Sequence, residues 1–397
     1  MTPTSASAHP PLPSHAALAR ARWATRLQFI ALGALSGTWG AHIPSVKAHY
    51  ALSERTLSMV LLAAAIGAVL SLLFAGRIVG QLGARNASLC AALVMSLSLG
   101  IVLEYPSVAV LLPAMLVFGA SMSLFDVAIN SEGSLLESLS GRPIMSNLHG
   151  MFSAGGMAGA AIVATLLGAG VAPRMQLFGV CAGLALVVAI ASRGMLETHA
   201  GSGDGDGGEK ANFAWPRGLL LIIGLLIFAG MTAEGVMYDW SVLYLKQEVG
   251  LPQAQAALGY ATFSAAMALS RFGGDFLRAR YQEQALLRFG AGLATAAMAV
   301  VLISANKWVA FVGFAFVGVG LAPVAPILFS AATRVPGVSR AAAIASVTSI
   351  GYSGFMIGPP LIGGIASATS LTVALGVVVL ASALLSHGAR FVPQRTA

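Results

Sequence analysis

The sequence predicts an all-α membrane protein, with twelve transmembrane helices arranged as two six-helix bundles. Only 9% of the 397 residues are charged and 57% are hydrophobic, whereas soluble domains carry roughly 25% charged residues. Because so few charges cannot cover a water-exposed surface, we expect the chain to lie in a lipid bilayer. The net charge of +8 comes from basic residues spread thinly among the loops, which indicates membrane topology and no nucleic-acid partner.

Each predicted helix is an apolar run long enough to cross a bilayer, which takes about 20 residues. In the first half of the chain these runs begin near Leu27, Thr56, Ala87, Val108, Asn147 and Met175. In the second half they begin near Arg217, Gln253, Ala285, Trp308, Ala341 and Thr369. We number the runs span 1 to span 12 in chain order.

The spans and the polar stretches around them divide the chain into four regions. We expect a cytoplasmic tail at residues 1–26, a first six-helix bundle at 27–193, a flexible cytoplasmic linker at 194–216, and a second bundle at 217–397 that ends in a short cytoplasmic tail. The linker is rich in glycine, and its acidic residues miss the spacing of a calcium-binding loop. We therefore interpret it as a flexible connection.

The distribution of basic residues predicts the orientation of the spans. When the N-terminus is placed inside, most lysines and arginines fall in cytoplasmic loops, as the positive-inside rule requires. The basic residues that remain on the outer side are Lys47, Arg55, Arg174, Lys246 and Lys307. We expect a multi-pass protein of the inner (plasma) membrane with both termini in the cytoplasm.

Short motifs occur once in each half. Arg77–Gln81 follows the second span of the first half, and Arg271–Asp275 follows the second span of the second half. Gly150–Ser153 in span 5 has a counterpart in Gly351–Ser353 of span 11. Because each half holds an even number of spans, the repeat is parallel, with its axis along the membrane normal, as in many secondary transporters.

A family resemblance is carried by five stretches: Asp126–Asn130, Met145–His149, Glu234–Trp240, Arg271–Asp275 and Gly358–Pro360. Together with the repeat, they resemble the major facilitator superfamily over about residues 20–392, and within it the MosC-like and YbjJ-like transporters. The resemblance implies the major facilitator fold, in which spans 1, 4, 7 and 10 line a central cavity. MosC-like proteins are associated with rhizopine, an amino-inositol derivative.

The resemblance also implies a gate at the cytoplasmic ends of spans 2 and 8. Where the family has an Asp-Arg pair after span 2, this chain has Gly80 and Gln81. In the second half Arg271 and Asp275 are one helical turn apart, the spacing of an intrahelical ion pair, and we expect them to act between spans 8 and 11. Glycine and proline in span 11 would kink that helix. The gating and structural candidates are Arg77, Arg271, Asp275, Gly358 and Pro359.

Glu234 is the first candidate for proton coupling. It lies about two thirds of the way along span 7, where a central carboxylate costs roughly 2.5 to 3.5 kcal/mol on insertion scales. The alternative is a carboxyl group locked to a neighbouring helix for packing. Tyr238 lies one turn further on the same face and is a candidate for the substrate cavity. Asp239 lies on another face near the outer interface, where we expect a solvated or helix-bridging role.

Polar stripes on spans 4 and 5 supply the other proton-coupling candidates, Asp126 and His149. Ser123, Asp126 and Asn130 share one face of span 4, and His149 lies at the inner end of span 5. Asp126 and His149 could form a proton relay or an inner gate, because imidazole titrates near neutral pH. They could equally be a static hydrogen-bonded pair. Ser123 and Asn130 are substrate-cavity candidates.

Span 1 adds Thr38 and Trp39 to the substrate-cavity candidates. The Trp39 ring could stack on a sugar-like ring. His42 shares a face with Thr38, and we interpret it as an ordinary residue of the membrane interface.

No motif for enzyme chemistry occurs in the sequence, neither a zinc-binding His-Glu-x-x-His nor a phosphate-binding loop nor a nucleophile elbow. We expect no enzymatic activity, no cofactor and no metal. Spans 1, 4, 7 and 10 carry no lysine or arginine in their cores, whereas spans 4 and 7 carry Asp126 and Glu234. This pattern disfavours an anionic substrate, which would require a basic partner.

We predict a monomeric secondary active transporter that moves a small polar solute, sugar-, cyclitol- or amine-like, by alternating access coupled to protons. One alternative is proton-driven efflux of a hydrophobic drug or metabolite, which cavity walls rich in phenylalanine and methionine would favour. Another is a membrane sensor that binds a solute without moving it.

Overall fold

The computed structural model describes residues 13–141, 144–196 and 217–393 of the chain. These residues form thirteen α-helices and one 3-10 helix, and none of them is in a strand. Residues 1–12 of the predicted tail and 197–216 of the predicted linker lie outside the described residues.

The helices are long in both halves. Those of the first half are α1 (His15–His49), α2 (Glu54–Gly100), α3 (Val108–Ser140), α4 (Met145–Gly168) and α5 (Pro173–Ser192). Those of the second half are α6 (Gly218–Gln247), α7 (Gln253–Arg280), α8 (Glu283–Ser304), α9 (Lys307–Leu321), α10 (Val324–Ala332), α11 (Arg340–Ala368), α12 (Leu371–Ala374) and α13 (Gly376–Gly388). The 3-10 helix, Ala389–Phe391, follows α13.

Helix α2 contains both span 2 and span 3. It is 47 residues long, and only Gly83 within it has a non-helical backbone, with φ 76° and ψ 154°. A positive φ is strained for residues with a Cβ atom, so glycine allows the chain to bend between the two arms. Span 10 is similarly divided into α9 and α10 near Pro323, since proline lacks the amide that an α-helix needs. Span 12 comprises α12 and α13.

Eight helical segments of the described residues are long and apolar enough to count as candidate membrane spans. One of them is α2, and another joins α9 and α10 as Lys307–Ala332. The long helices outside this set are α1, α7 and α11, which are richer in polar and small residues. The protein is therefore an all-helical, multi-pass membrane protein, while the count of twelve spans stays a prediction.

Helix α1 begins earlier than the apolar run at Leu27. Its first residue is His15, and the Ser14 hydroxyl caps it by accepting a hydrogen bond from the Ala17 amide at 3.2 Å. A serine at this position satisfies an amide that the first helical turn leaves unpaired. Hydropathy alone marks only the apolar part of a helix, so it missed this polar first section.

Within the first half, glycines bring α1 and α4 into close backbone contact. A Cβ atom on Gly155 would lie 2.1 Å from the Ile30 carbonyl oxygen, and one on Gly159 would lie 2.2 Å from that of Ala34. Small residues are how membrane helices approach each other closely. The corresponding pair in the second half is α6 with α11.

The two halves meet mainly through α4 against α7 and α2 against α11. Near the N-terminal end of α4, Gly150 leaves room for the Phe272 ring of α7. Near the C-terminal end of α11, Gly363 lies against Ser58 of α2. The first of these contacts brings α4 and α7 close enough for side chains of both halves to meet.

Candidate functional site

Glu234 and Arg271 form an ion pair between neighbouring helices of the second half. The distance from Arg271 Nη2 to Glu234 Oε1 is 3.1 Å, and the two side chains are 11% and 16% exposed, respectively. Charged groups with so little exposure to solvent are stable only when they are paired and hydrogen-bonded. Each residue therefore explains the presence of the other.

Arg271 also binds the first half of the chain. Its Nη1 donates a hydrogen bond to Ser153 Oγ of α4 at 2.8 Å. The Ser146 hydroxyl, two turns earlier in α4, donates to the Arg271 backbone carbonyl at 3.0 Å. The guanidinium group consequently joins α6, α7 and α4 at the boundary between the halves.

Tyr238 completes the surroundings of the Glu234 carboxylate. Its hydroxyl donates to Glu234 Oε1 at 3.1 Å, as expected for residues one turn apart on α6. Its ring packs against Tyr260 and Phe263 of α7, with ring centroids 5.3 Å apart in both cases. This packing holds the phenol beside the ion pair.

Asp126 is paired within its own helix. The Asn130 side-chain amide donates to the Asp126 carbonyl at 2.8 Å and to its Oδ1 at 3.0 Å. Ser123, one turn earlier on α3, is buried.

His149 lies near the ion pair rather than near a carboxylate partner of its own. Its ring packs edge-on against Phe29 of α1, with centroids 5.6 Å apart, and it lies one turn before Ser153, which accepts a hydrogen bond from Arg271. Among the described residues, no hydrogen bond joins His149 to Asp126. The proton-coupling roles of Asp126 and His149 therefore stay predictions.

The candidates on α1 are buried in the first bundle. Trp39 is 7% exposed and its ring packs on Phe118 of α3 at 5.6 Å. Thr38 is fully buried, and its hydroxyl has no hydrogen-bond partner among the described residues. His42 Nδ1 lies 3.2 Å from Ser45 Oγ. In this structure Trp39 lies against protein, so a stacked solute would require it to move.

A polar link near the C-terminal end of α1 joins the halves. The Gln253 amide, at the start of α7, donates to Ser45 Oγ at 2.7 Å and to the Ala41 carbonyl at 3.0 Å. Lys246 Nζ donates to Gln253 Oε1 at 3.2 Å. These bonds hold the C-terminal ends of α1 and α6 and the N-terminal end of α7 together.

The sequence profile of the Major Facilitator Superfamily matches residues 27–359. The chain belongs to this superfamily. Its members are membrane transporters of small molecules and not enzymes. This agrees with the all-helical, multi-pass structure.

Relatives across nearly the whole length support the assignment. An uncharacterized MFS-type transporter of Yersinia pestis is 36% identical over 369 residues, covering 93% of this chain and 94% of the relative. The membrane protein MosC of Rhizobium meliloti is 32% identical over 365 residues, covering 90% and 88%. The predicted resemblance to MosC-like transporters is thereby confirmed.

A solved structure shares the fold. It is a bacterial homolog of the human lysosomal transporter Spinster, in an inward-facing and unoccupied conformation, with a TM-score of 0.73 and 15% identity. The alignment covers 96% of this chain and 98% of that one. At this identity the likeness establishes the major facilitator fold alone.

The predicted gating residues of this superfamily member fall in different environments. Arg77 is exposed on α2, whereas Arg271 is buried against α4 and α6. The side chain of Asp275 lies outside the described part of the chain. Gly358 and Pro359 are buried in α11. Sequence reasoning placed Arg271 between spans 8 and 11 and missed its bonds to Glu234 and Ser153.

One signal could have revealed the ion pair. Within a membrane bundle an acidic side chain needs a basic partner, but we considered only the helices expected to line the cavity. Arg271 belongs to α7, which is span 8 and therefore lies outside that set. The absence of basic residues from spans 1, 4, 7 and 10 therefore did not mean that the centre lacks positive charge.

Proposed function

We propose that this chain is a secondary active transporter of the inner membrane, moving a small polar solute that is sugar-, cyclitol- or amine-like, by alternating access coupled to protons. The observation that carries the proposal is the buried link from Glu234 through Arg271 to Ser153. This link supports the proposal because it joins a carboxylate, a guanidinium group and a contact with the other half.

The proposed topology has twelve spans, divided into bundles at 27–193 and 217–397, with both termini in the cytoplasm. A helix of 47 residues is about 70 Å long at 1.5 Å per residue, more than twice the roughly 30 Å hydrocarbon core. Helix α2, bent at Gly83, accordingly crosses twice. Helices α1, α7 and α11 cross once each, with their polar residues turned toward other helices.

Protonation of Glu234 is the proposed coupling step. While Glu234 is ionised, it holds the Arg271 guanidinium in the position from which Arg271 binds Ser153 of the first half. A proton on Glu234 removes the attraction and weakens that link between the halves. The proton shifts the inward–outward equilibrium because its affinity differs between the two states. Asp126 and His149 are further candidates for proton transfer.

The charge balance of the centre supports a neutral or cationic solute. Asp126, Glu234 and Asp239 contribute three carboxyl groups, and the guanidinium of Arg271 is already engaged by Glu234. An anionic solute would meet more negative than positive charge. Asn130, Tyr238, Ser123 and, after movement, Thr38 and Trp39 are the proposed contacts for hydroxyl groups and rings.

Flux in proteoliposomes tests this function. The full chain is reconstituted and given a pH gradient with labelled sugars, cyclitols and amines outside. We expect accumulation driven by the gradient for the wild type, and accumulation no higher than in protein-free vesicles for Glu234→Gln. Glu104→Gln, which removes a carboxylate of an outer loop that pairs with Arg174, is the matched control and should accumulate solute as the wild type does.

Each other outcome has a clear meaning. Unchanged gradient-driven uptake by Glu234→Gln would remove the coupling role of this residue. Export of lipophilic compounds without uptake of polar ones would favour the efflux alternative. Solute binding without flux would favour the sensor.

A further inference from the structure

The N-terminal end of α8 and the C-terminal end of α13 lie side by side. The Ser386 hydroxyl of α13 donates a hydrogen bond to the Arg288 carbonyl of α8 at 2.8 Å. Gln284 Nε2 of α8 donates to the backbone carbonyls of Arg390 and Val392, which follow α13, at 3.4 and 2.6 Å. These bonds define a junction that we call the α8–α13 seam.

Both helices expose apolar side chains next to the α8–α13 seam. On α13, Leu380 and Leu384 lie one turn apart and are 67% and 64% exposed. On α8, Phe289 is 75% exposed, and Leu293, one turn further on, is also exposed. In a membrane protein, exposed leucine and phenylalanine side chains are stable against the acyl chains of lipids. The seam therefore lies between two lipid-facing surfaces.

The seam also carries positive charge that no protein group balances. Arg288 and Arg390 are exposed, and neither guanidinium group forms an ion pair or a hydrogen bond with another described residue. The Arg390 guanidinium lies over the Phe391 ring, 4.7 Å from its centroid, and this contact restricts its position. His387 is exposed as well and adds ring nitrogens that can form hydrogen bonds.

Acidic residues are scarce in this part of the chain. Between residues 276 and 393 the sequence contains one acidic residue, Glu283. Its side chain is 3% exposed, and its carboxylate binds Arg278 and Arg334 at 2.8 and 2.5 Å. That carboxylate is thus already shared by two guanidinium groups. The two exposed arginines at the seam are therefore suited to an anion that the surroundings supply.

We propose that the α8–α13 seam binds one anionic phospholipid, whose phosphate group is held by Arg288 and Arg390. A guanidinium group donates hydrogen bonds in a planar fork that fits a phosphate, and basic pockets between membrane helices bind anionic head groups. The exposed apolar side chains of both helices then lie along the acyl chains. A soluble anion would gain nothing from those side chains, so the combination of charge and apolar surface favours a lipid.

The lipid site does not depend on transport, and its location is distinct from the ion pair at Glu234. Basic residues are common at the cytoplasmic ends of membrane helices, so binding at the seam has to be separated from general attraction. Arg340 offers a matched control, because it is exposed at the start of α11, which packs mainly against α6 and α2. Arg340→Gln removes the same charge as Arg288→Gln at a different place.

Native mass spectrometry of the full-length protein in detergent measures the binding of single lipids. The protein is titrated with phosphatidylglycerol, whose head group is anionic, and separately with phosphatidylcholine, whose head group is zwitterionic. One arginine beside an anionic head group corresponds to about a fivefold change in affinity. For the wild type we therefore expect phosphatidylglycerol to bind at least about fivefold more tightly than phosphatidylcholine.

Variants of the two arginines test the site. Arg288→Gln and Arg390→Gln should each weaken phosphatidylglycerol binding about fivefold, and the double variant should weaken it about 25-fold. Arg340→Gln should bind this lipid as the wild type does. Each variant should unfold in lipid-free detergent at the wild-type temperature, because the bonds across the seam use the backbone carbonyls of both arginines.

Inorganic phosphate separates a lipid from a soluble anion. Added at the concentration of the lipid, it should leave phosphatidylglycerol binding unchanged, and displacement of the lipid would assign the seam to a soluble anion instead. Equal affinities of the wild type for the two lipids would overturn the proposal. So would wild-type binding by the double variant, or a loss in Arg340→Gln as large as that in Arg288→Gln.

Discussion

At the scale of single residues, Arg77 and Arg271 show how the two halves have diverged. The residues occupy corresponding places in the repeated motif, yet Arg77 is exposed and Arg271 is 11% exposed. A guanidinium group is retained in a dry interior only beside an anion and other acceptors. Glu234 supplies the anion and Ser153 the further acceptor for Arg271. The two arginines therefore share a motif, but only Arg271 lies at the boundary between the halves.

A double-mutant cycle tests this pairing. Arg271→Gln alone leaves Glu234 without its cation, and we expect a loss of about 3 to 5 kcal/mol in unfolding free energy. Glu234→Gln alone should cost a similar amount, because Arg271 then lacks its anion. The double variant removes both charges and should be more stable than either single variant. Chemical denaturation in detergent measures the four proteins, and strictly additive losses would refute the coupling.

At the scale of helices, close packing depends on glycines whose places follow helical spacing. Gly155 and Gly159 lie one turn apart on α4 and admit the backbone of α1. The spacing predicts that they share a face. It does not predict which neighbour that face meets, because several helices of a bundle are equally apolar.

Gly155→Ala should destabilise the α1–α4 contact. Its Cβ atom would lie 2.1 Å from the Ile30 carbonyl oxygen, whereas a Cβ atom on Gly168 of the same helix meets nothing within 4 Å. Overpacking of this kind costs roughly 1 to 3 kcal/mol. We expect Gly155→Ala to lower the unfolding temperature and the control, Gly168→Ala, to leave it unchanged. Equal temperatures for both variants would show that α1 shifts without cost.

The helix positions were largely predictable. Helices α3 and α7 begin at Val108 and Gln253, where apolar runs predict them. The exceptions have local causes: a capping serine starts α1 before the apolar run, and Gly83 lets two spans continue as one helix. The contact between Glu234 and Tyr238 also follows from spacing. The partner of that carboxylate does not, since Arg271 lies far along the chain on another helix.

At the scale of the whole molecule, the two halves are held together in this structure at the C-terminal end of α1 and the N-terminal end of α7. Gln253 binds Ser45 and the Ala41 carbonyl across the boundary, and Gly363 packs on Ser58. Under the proposed alternating access, such contacts exist only while this side of the boundary between the halves is closed. Their strength therefore contributes to the balance between the states.

Gln253→Ala should favour separation of the two halves at this side. Spin labels at Arg55→Cys and Ser367→Cys, exposed positions on α2 and α11, with Cys90 and Cys181 replaced by serine, report the distance between the halves. We expect a population at longer distance, because two hydrogen bonds across the boundary are lost. Gln255→Ala, an exposed neighbour on the same helix, is the control. An unchanged distance distribution for Gln253→Ala would assign the closure to packing alone.

The sequence by itself determined the class of the protein, its helices and its family. These depend on sums and spacings along the chain: few charges, long apolar runs, a repeated motif and family-typical stretches. The tertiary structure alone decided which charges meet. It paired Glu234 with Arg271, joined Arg271 to Ser153 of the other half, and brought Arg288 and Arg390 to adjoining helix ends. The physical reason is that each pairing depends on how the helices are rotated and packed against one another, which no spacing within a single helix encodes.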